Sequence, residues 1–422
     1  MNSRETGQAS WICAQIGARE HYAVPRALSR VCRLNALYTD FWAGESWRRF
    51  AGWGNGVLRS LATRYHTELK SAAVMSLNLR FLFWEANSRR RAVRENAAGL
   101  YQNYLDIGRS FAEAVRDSLR RRRNIPSRTI FFAYDTGALE VMEWLRERGV
   151  YCVLDQMDPS RVEVDLVREE EKSWPGWQDN FTEVPEEYFR RREEEWSLAD
   201  RIVVNSEFCR RALIQQGVAP DKLTVIPLSF EKSFETGGSS SPPFGRSQDN
   251  LRILWLGQVN LRKGIPYLLE AARLLSSERV HFDVVGPIAI SRDAVASAPA
   301  NVTFHGRVER DRIGEWYRRA DLFVLPTISD GFALTQLEAM AYGLPVIATP
   351  NCGDVVHHEL DGLIVPPRDA AALARAIHRY LQDPFFLRAH RAAAPINAQR
   401  YSLNSLAGKL TRLESLFCDG SR

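Results

Sequence analysis

From Leu251 to about Asp383 the chain alternates short apolar runs with helical patterns, and no other feature restricts its fold as strongly. "LRILWLGQV", "VHFDVVGP", "VTFHGRV", "DLFVLPT", "LPVIAT" and "GLIVPP" read as strands. "IPYLLEAARLLSS", "DRIGEWYRRA" and the run that opens at "SDGFAL" read as the helices between them. Strands that are apolar throughout suit a sheet covered on both faces, and strands separated by helices pair in parallel through right-handed crossovers. The class is α/β, with a Rossmann-like domain in the second half.

The first half follows the same grammar less cleanly. "WICAQIG", "LNALYTD", "RTIFFAYD", "VYCVLDQ" and "RIVVNS" are its strands, with helices such as "GALEVMEWLRERG" and "SEFCRRALIQQG" between them. The stretch from Gly44 to Arg120 reads as mostly helical, broken at "AVMSLN". At 422 residues the chain is too long for one ordinary core,. "TGGSSSPPFGRSQDN" (236–250) has the composition of a surface linker and divides the chain,. The resulting division is a first domain over 1–235, the linker over 236–250 and a second domain over 251–390. Residues 391–422, including "LNSLAGKLTRLESLF", form a terminal helix expected to pack back toward the first domain.

Composition narrows the class further. With 45% hydrophobic, 25% charged and 10% aromatic residues, disordered and collagen-like chains are excluded,. The six cysteines are scattered, without a Cys-x-x-Cys pair or a Cys/His cluster, so a reduced, cytoplasmic chain without structural zinc is expected,. No run of about 18 apolar residues suggests a membrane span, and the N-terminus lacks an export-type apolar region. The net charge is +5, and much of the excess lies in "NSRRRAVR" (87–94) and "LRRRRNIPSR" (119–128). Such runs suit solvated helix ends, or peripheral contact with the anionic inner face of a membrane.

Open parallel sheets bind ligands beyond the carboxyl ends of their strands. Two loops there carry unusual residues. "GQVNLRKG" (257–264) follows the first strand of the second domain with Gly257, Gln258, Arg262 and Lys263, an anion site suited to phosphates or a turn with ordinary solvated charges,. "SDGFAL" follows "DLFVLPT", and a helix starting there would leave the amides of Gly331, Phe332, Ala333 and Leu334 facing outward at its positive end. Asp330 could be an N-cap and Glu338 an exposed helical acid. Along a continuous helix they would stand roughly 12 Å apart, the length of an extended sugar diphosphate, which suits phosphates flanked by two sets of hydroxyls.

These ordered motifs resemble a retaining glycosyltransferase of the GT-B fold, most similar to the large family 4. The resemblance rests on "WLGQVNLRKG", "DGFALTQLEAMAYGLPVIAT" and "DGLIVPPRD", and "ADRIVVNSEFCRRALIQQGVAPDKLTVIPLS" is similar to the family's approach to its linker. It implies two Rossmann-like domains facing across a cleft and a nucleotide-sugar co-substrate, UDP- or GDP-linked, with no cofactor. It also implies that Lys263 meets the donor diphosphate, Glu338 the ribose and Asp330 the transferred sugar. The amides after Gly331 would receive phosphates, and loop "HGRVER", with Val308, would approach the base. Lys263, Arg262 and Asp330 would be the catalytic residues. No Asp-x-Asp motif sits in a suitable loop, which agrees with a metal-independent reaction.

The chain departs from the family at two positions: Gln258 stands where many members have arginine, and Asp330 where the first acid is usually glutamate. In the first domain Gly17, Arg19 and His21 lie in the first strand-to-helix loop, where they could touch the sugar or a glycan or lipid-linked acceptor. His21 could equally be a structural histidine beneath Tyr22 and Pro25. A cleft histidine of the family is not evident, and Asp155, Gln156 and Asp158 occupy its neighbourhood. Other readings are a sugar-nucleotide epimerase, a phosphorylase (which would need a Schiff-base lysine that no motif nominates) and a non-catalytic nucleotide-sugar or glycan binder. A nucleic-acid partner is not expected, because the arginine runs lack interleaved aromatics or a helix-turn-helix signal.

Overall fold

The structure is a computed structural model and describes residues 8–44, 61, 63–78, 81, 97–122, 125–178, 184–231 and 250–418. The basic run at 87–94, linker residues 236–249 and most of the expected helical stretch before residue 97 lie outside the described residues.

The first sheet has seven strands: β1 (Ser10–Gln15), β2 (Leu34–Thr39), β3 (Val74–Ser76), β4 (Thr129–Tyr134), β5 (Tyr151–Gln156), β6 (Arg201–Val204) and β7 (Leu223–Val225), in the order β3-β2-β1-β4-β5-β6-β7. The second has six: β8 (Leu251–Leu256), β9 (Val280–Val285), β10 (Val302–Gly306), β11 (Leu322–Leu325), β12 (Val346–Ala348) and β13 (Gly362–Ile364), in the order β10-β9-β8-β11-β12-β13. Every strand pair is parallel. The two domains are thus Rossmann-like, each with a switch in strand order, at β1/β4 and at β8/β11. A crevice opens beyond the carboxyl ends of the strands at such a switch.

Alternate side chains of each strand serve opposite cores, as the pleat requires. Ile12, Phe131 and Leu154 face the helices Ala97–Arg121 and Leu139–Arg146, while Trp11, Phe132 and Val153 face the helices Ala23–Arg30 and Leu403–Cys418. In the second domain Ile253, Phe282 and Val324 pack on one side, and Leu254, Phe323 and Val346 on the other. The last helix is tied down by a buried acid as well as by Leu406 and Leu410. Glu414 accepts hydrogen bonds from the Ala9 amide (2.8 Å) and Trp11 Nε1 (3.1 Å) and pairs with Arg33.

Three differences from the sequence reading have physical reasons. "AVMSLN" contains the short edge strand β3, and β7 is as brief; three residues carry too little periodicity to be read,. Two helices, Arg161–Ser173 and Glu186–Leu198, were not read at all because their inward faces are charged. Glu170, Arg191, Arg192 and Glu195 are buried there and neutralised in pairs, so no apolar stripe marks them. The third difference concerns the turn before Leu334, described below.

The helix Arg161–Ser173 belongs to the first half of the chain but is fastened to the second domain. Glu170 accepts from Tyr267 Oη (2.8 Å) and pairs with Arg368 (2.5 Å). Beyond the helix the Trp177 carbonyl accepts from the Ser291 amide (2.7 Å), and Gln178 Oε1 from the Leu261 amide (2.8 Å).

Candidate functional site

The loop after β8 is a single 3₁₀ turn, Leu261–Lys263, capped by Asn260, whose Oδ1 accepts from the Lys263 amide. Gly264 follows with φ +70°, and a Cβ there would stand 1.8 Å from the Pro326 carbonyl oxygen. Only glycine permits this approach, which presses the turn against the loop after β11. The backbone completes the contact: the Arg262 carbonyl accepts from the Ile328 amide (2.9 Å) and the Thr327 hydroxyl (3.1 Å). Gly257 lies at the end of β8 with its amide bonded to the Val285 carbonyl, and Gln258 is exposed.

This packing converges three of the sequence-predicted residues. Lys263 Nζ donates to Asp330 Oδ2, and Arg262 Nη1 lies 3.7 Å from Asp330 Oδ1 while donating to the Ser329 carbonyl (3.1 Å). A fourth residue, Glu163, enters from the first half of the chain. Its Oε2 accepts from Ser329 Oγ (2.9 Å) and Arg262 Nη1 (3.4 Å). Burial works against the Arg262 charge, but Glu163 and Asp330 more than offset it, and its basicity rises,.

The expected helix start at "SDGFAL" is corrected. The helix is Leu334–Ala341, and the residues before it are tied to the loop after β12. The Asp330 amide donates to the Asn351 carbonyl (2.9 Å) and the Ala333 amide to that of Cys352 (3.0 Å). Asp330 is therefore an ion-pair partner, not an N-cap, and Ala333 offers no free amide. The amides of Gly331, Phe332 and Leu334 have no partner among the described residues. Gly331 is also a contact between domains. A Cβ there would lie 2.5 Å from the Met157 carbonyl oxygen. Phe332 is buried beside Tyr401.

Glu338 lies four residues into that helix, about 6 Å along its axis from Leu334. Its Oε2 accepts from Tyr317 Oη (2.7 Å). Burial raises its affinity for a proton, opposed by the Tyr317 hydrogen bond and by Arg310. Val308, in the loop after β10, packs partly buried on the same core as Tyr317.

On the opposite side, the loop after β1 is strained. Glu20, His21 and Tyr22 are consecutive non-glycine residues with φ of +49°, +52° and +61°. Backbone of this kind is uncommon and concentrates at functional sites. The Gly17 amide donates to Asp40 Oδ1 (2.9 Å), and the Arg19 guanidinium lies 5.1 Å from the centroid of the Tyr134 ring. His21 is not packed beneath Tyr22 and Pro25; it is exposed and meets Arg310 of the second domain at 3.0 Å. Partial desolvation of the ring at the domain contact, followed by Arg310 and Arg26, lowers its proton affinity, so the neutral ring accepts from Arg310,.

Of the three residues near the missing histidine, two are structural. Gln156 accepts from Trp196 Nε1 (2.9 Å), and Asp158 shares Arg192 with the buried Asp135. Asp155 differs. It pairs in register with Tyr134 at the carboxyl edge of the sheet, with β4 between it and Gln15 on β1. Asp155 Oδ1, Tyr134 Oη, Gln15 Oε1 and Glu20 Oε1 are buried without hydrogen-bond partners. Burial pushes Glu20 up to about 7, against the pull of Arg19 and a hydrogen bond with the Ser229 backbone, and it pushes Asp155 well up, reinforced by Glu20 and Asp135. Buried oxygens left open in this way are uncommon in folded proteins, and four of them gather here,. Glu163 and the Glu20–Asp155 arrangement had no sequence signal beyond the position of Asp155 at a strand end.

Residues 250–383 match the family described as Glycosyl transferases group 1. The D-inositol 3-phosphate glycosyltransferase of Streptomyces bingchenggensis is 28% identical over 232 residues, 50% of this chain and 51% of that protein. The chain thus spans about half the length of this curated relative. In three dimensions the chain resembles sucrose-phosphate synthase from Thermosynechococcus elongatus with a TM-score of 0.61 at 18% identity, covering 97% of this chain and 100% of the other. It also resembles Anabaena HepE, solved in complex with UDP, with a TM-score of 0.58 at 14% identity, covering 96% and 100%. The fold is the GT-B fold of two facing Rossmann-like domains. Among the described residues, no helix is long and apolar enough to cross a membrane.

Proposed function

We propose that the protein is a glycosyltransferase that moves a sugar from a UDP- or GDP-linked donor to a hydroxyl of a glycan, lipid-linked or small-molecule acceptor. The observation that carries this reading is the convergence of Arg262 and Lys263 on Asp330 at the strand-order switch of the second sheet. In the donor complex Lys263 turns from Asp330 to the diphosphate, and Asp330 is released to accept the hydroxyls of the transferred sugar. Arg262 and the open amides after Asp330 meet the remaining phosphate oxygens. Glu338, steadied by Tyr317, accepts the ribose hydroxyls.

As the bond from the sugar's anomeric carbon to the diphosphate breaks, negative charge grows on the departing phosphate. Preorganised cations in a site shielded from water act most strongly on such charge, often as the largest catalytic term. Arg262 and Lys263 supply it here without a metal. Retention of anomeric configuration follows from the likeness to family 4. On the other wall, Gly17, Arg19 and His21 meet the acceptor's hydroxyls, with Arg19 over the Tyr134 ring. The UDP seen in HepE is the reason to begin with uridine donors.

A thermal-shift screen of UDP- and GDP-sugars tests the donor. A ligand at about 100 times its dissociation constant adds roughly 2.7 kcal/mol of stability. Release of UDP or GDP on adding an acceptor then tests transfer, and binding without release at any acceptor would reduce the protein to a nucleotide-sugar binder.

A further inference from the structure

Glu163 engages Arg262, one of the two cations to which the proposed function assigns the diphosphate. It shares Arg262 with Asp330, and its Oε2 is also held by the Ser329 hydroxyl. Two cations, Arg262 and Lys263, therefore face two acids, Glu163 and Asp330, and the ligand-free site is neutral. A nucleoside diphosphate adds at least two negative charges. With Glu163 still ionised, those charges would meet a carboxylate across a poorly hydrated gap, where like charges cannot all persist.

The segment that carries Glu163 holds it against the anion site. The helix that carries Glu163 is pinned to the second domain through Glu170 to Tyr267 and Arg368, and the residues after it through Trp177 and Gln178 to the loops around Ser291 and Leu261. At its start the same helix is held to the first domain, where the Arg161 amide donates to Gln216 Oε1 (3.1 Å) and its guanidinium to Glu186 (2.6 and 2.9 Å), so Glu163 stands between the two domains.

We propose that Glu163 is a proton-linked gate on the donor site: it holds Arg262 in the ligand-free protein and takes up one proton from solvent when the diphosphate claims that arginine. This rests on the reading of Arg262 and Lys263 as the diphosphate's partners. The surroundings favour it. Glu163 faces Arg262 and Asp330 across the domain contact, Asp158 on the loop after β5, Tyr101 on the helix Ala97–Arg121 and Cys209 on the helix Glu207–Gln215. Burial already raises its proton affinity, with Arg262 opposing, then Asp158 adding to it. Moving Arg262 onto phosphate removes the main opposing charge and adds a repelling one.

The test is titration calorimetry of the full chain with UDP and with GDP at pH 8, in two buffers of different ionisation enthalpy. That pH lies above the terminal phosphate's second pKa of about 6, so the nucleotide itself exchanges almost no protons. The wild type is expected to take up close to one proton per nucleotide bound. Its affinity should improve by up to tenfold per pH unit between pH 8 and 7. Glu163→Gln, which keeps the acceptor for Ser329 but has no charge to neutralise, should bind at least about tenfold tighter at pH 8 with no proton uptake.

Zero uptake by the wild type, uptake that persists in Glu163→Gln, or a variant that binds no tighter would each overturn the gate. The wild-type proton count decides even if the variant does not fold. Failure of the wild type to bind either nucleotide defeats the diphosphate reading itself, whereas binding without proton uptake defeats this inference alone.

Discussion

Lys263 and Asp330 stand 67 residues apart in the chain and form an ion pair at the meeting of the two loops that flank the β8/β11 switch, both side chains about 85% removed from solvent (14% and 15% exposed). The pair ties a strand-to-helix turn to the acid that opens the next loop. If Lys263 meets the leaving diphosphate, its attraction grows as the glycosidic bond breaks. Lys263→Ala is therefore expected to lower turnover about 100- to 1,000-fold, and more than it weakens donor affinity. Lys263→Arg should recover only part, because a planar fork places its charge differently from a compact ammonium. Initial rates and donor affinities for both variants decide it, and an alanine enzyme turning over like wild type would remove the catalytic role.

Glu338 is expected to matter for every donor of a given base, since its proposed partner is the ribose. Glu338→Ala should weaken binding of the free nucleoside diphosphate by about 1 to 3 kcal/mol, the cost of leaving a hydroxyl unpaired in a dry site. Asp330→Ala loses a sugar contact absent from that ligand and frees Lys263 and Arg262 from an acid that competes with the diphosphate, so it should not weaken binding. Tyr317→Phe removes the hydrogen bond that steadies Glu338 and should fall between wild type and Glu338→Ala. Calorimetry with UDP measures all three, and equal binding by wild type and Glu338→Ala would sink the ribose assignment.

What could be read from the sequence follows how each contact is made. The second sheet was legible because Ile253, Phe282 and Val324 belong to strands buried on both faces, whose apolar runs need no context,. The helices Arg161–Ser173 and Glu186–Leu198 were illegible because Glu170 is buried against Arg368 and Tyr267, and Arg191 and Arg192 against Glu140, Asp135 and Asp158, and a periodicity of charge looks like a solvated surface. Within the site, Arg262, Lys263, Asp330 and Glu338 stood out by spacing within one βαβ series. Glu163 did not, since its partners Arg262 and Ser329 lie 99 and 166 residues away. The turn at Asp330 was misread for a related reason: its amide is taken by Asn351, on a loop that local pattern cannot place beside it.

The buried acids of the first domain make a pH-dependent contribution whose sign is fixed. Glu20 is raised from 4.5 to about 7 in the folded protein. Between these values the folded chain holds a proton that the unfolded chain has lost, so stability from this group is full below pH 4.5 and falls as pH rises toward 7. The loss amounts to at most about 3 kcal/mol at 1.36 kcal/mol per unit, and Asp155 shifts in the same direction,. Glu20→Gln should unfold at the same temperature as wild type near pH 4.5 and at a higher one at pH 8. A difference between the two proteins that does not change with pH would show that Glu20 is ionised in the fold.

Gly331 sets how closely the two domains approach. A methyl group there would stand 2.5 Å from the Met157 carbonyl oxygen, 3.0 Å from Asn205 Nδ2 and 3.1 Å from Cys209 Sγ, all in the first domain. Backbone on one side and buried side chains on the other leave little room to yield, so Gly331→Ala is expected to hold the domains slightly apart. Two other contacts between the domains are the Ser329 hydroxyl on Glu163 (2.9 Å) and the Glu207 amide on Asp354 (2.8 Å). In the proposed reading the donor is held by the second domain, and alanine keeps the Gly331 backbone amide, so UDP affinity should stay within about threefold of wild type. Transfer requires the acceptor side to reach the anomeric carbon, and a misplacement near 1 Å costs about 100-fold in rate. The expected signature is therefore a fall in kcat at nearly constant nucleotide affinity, read from initial rates and UDP calorimetry on the same preparation. A variant with wild-type kcat would show that the cleft does not close through Gly331 during the reaction.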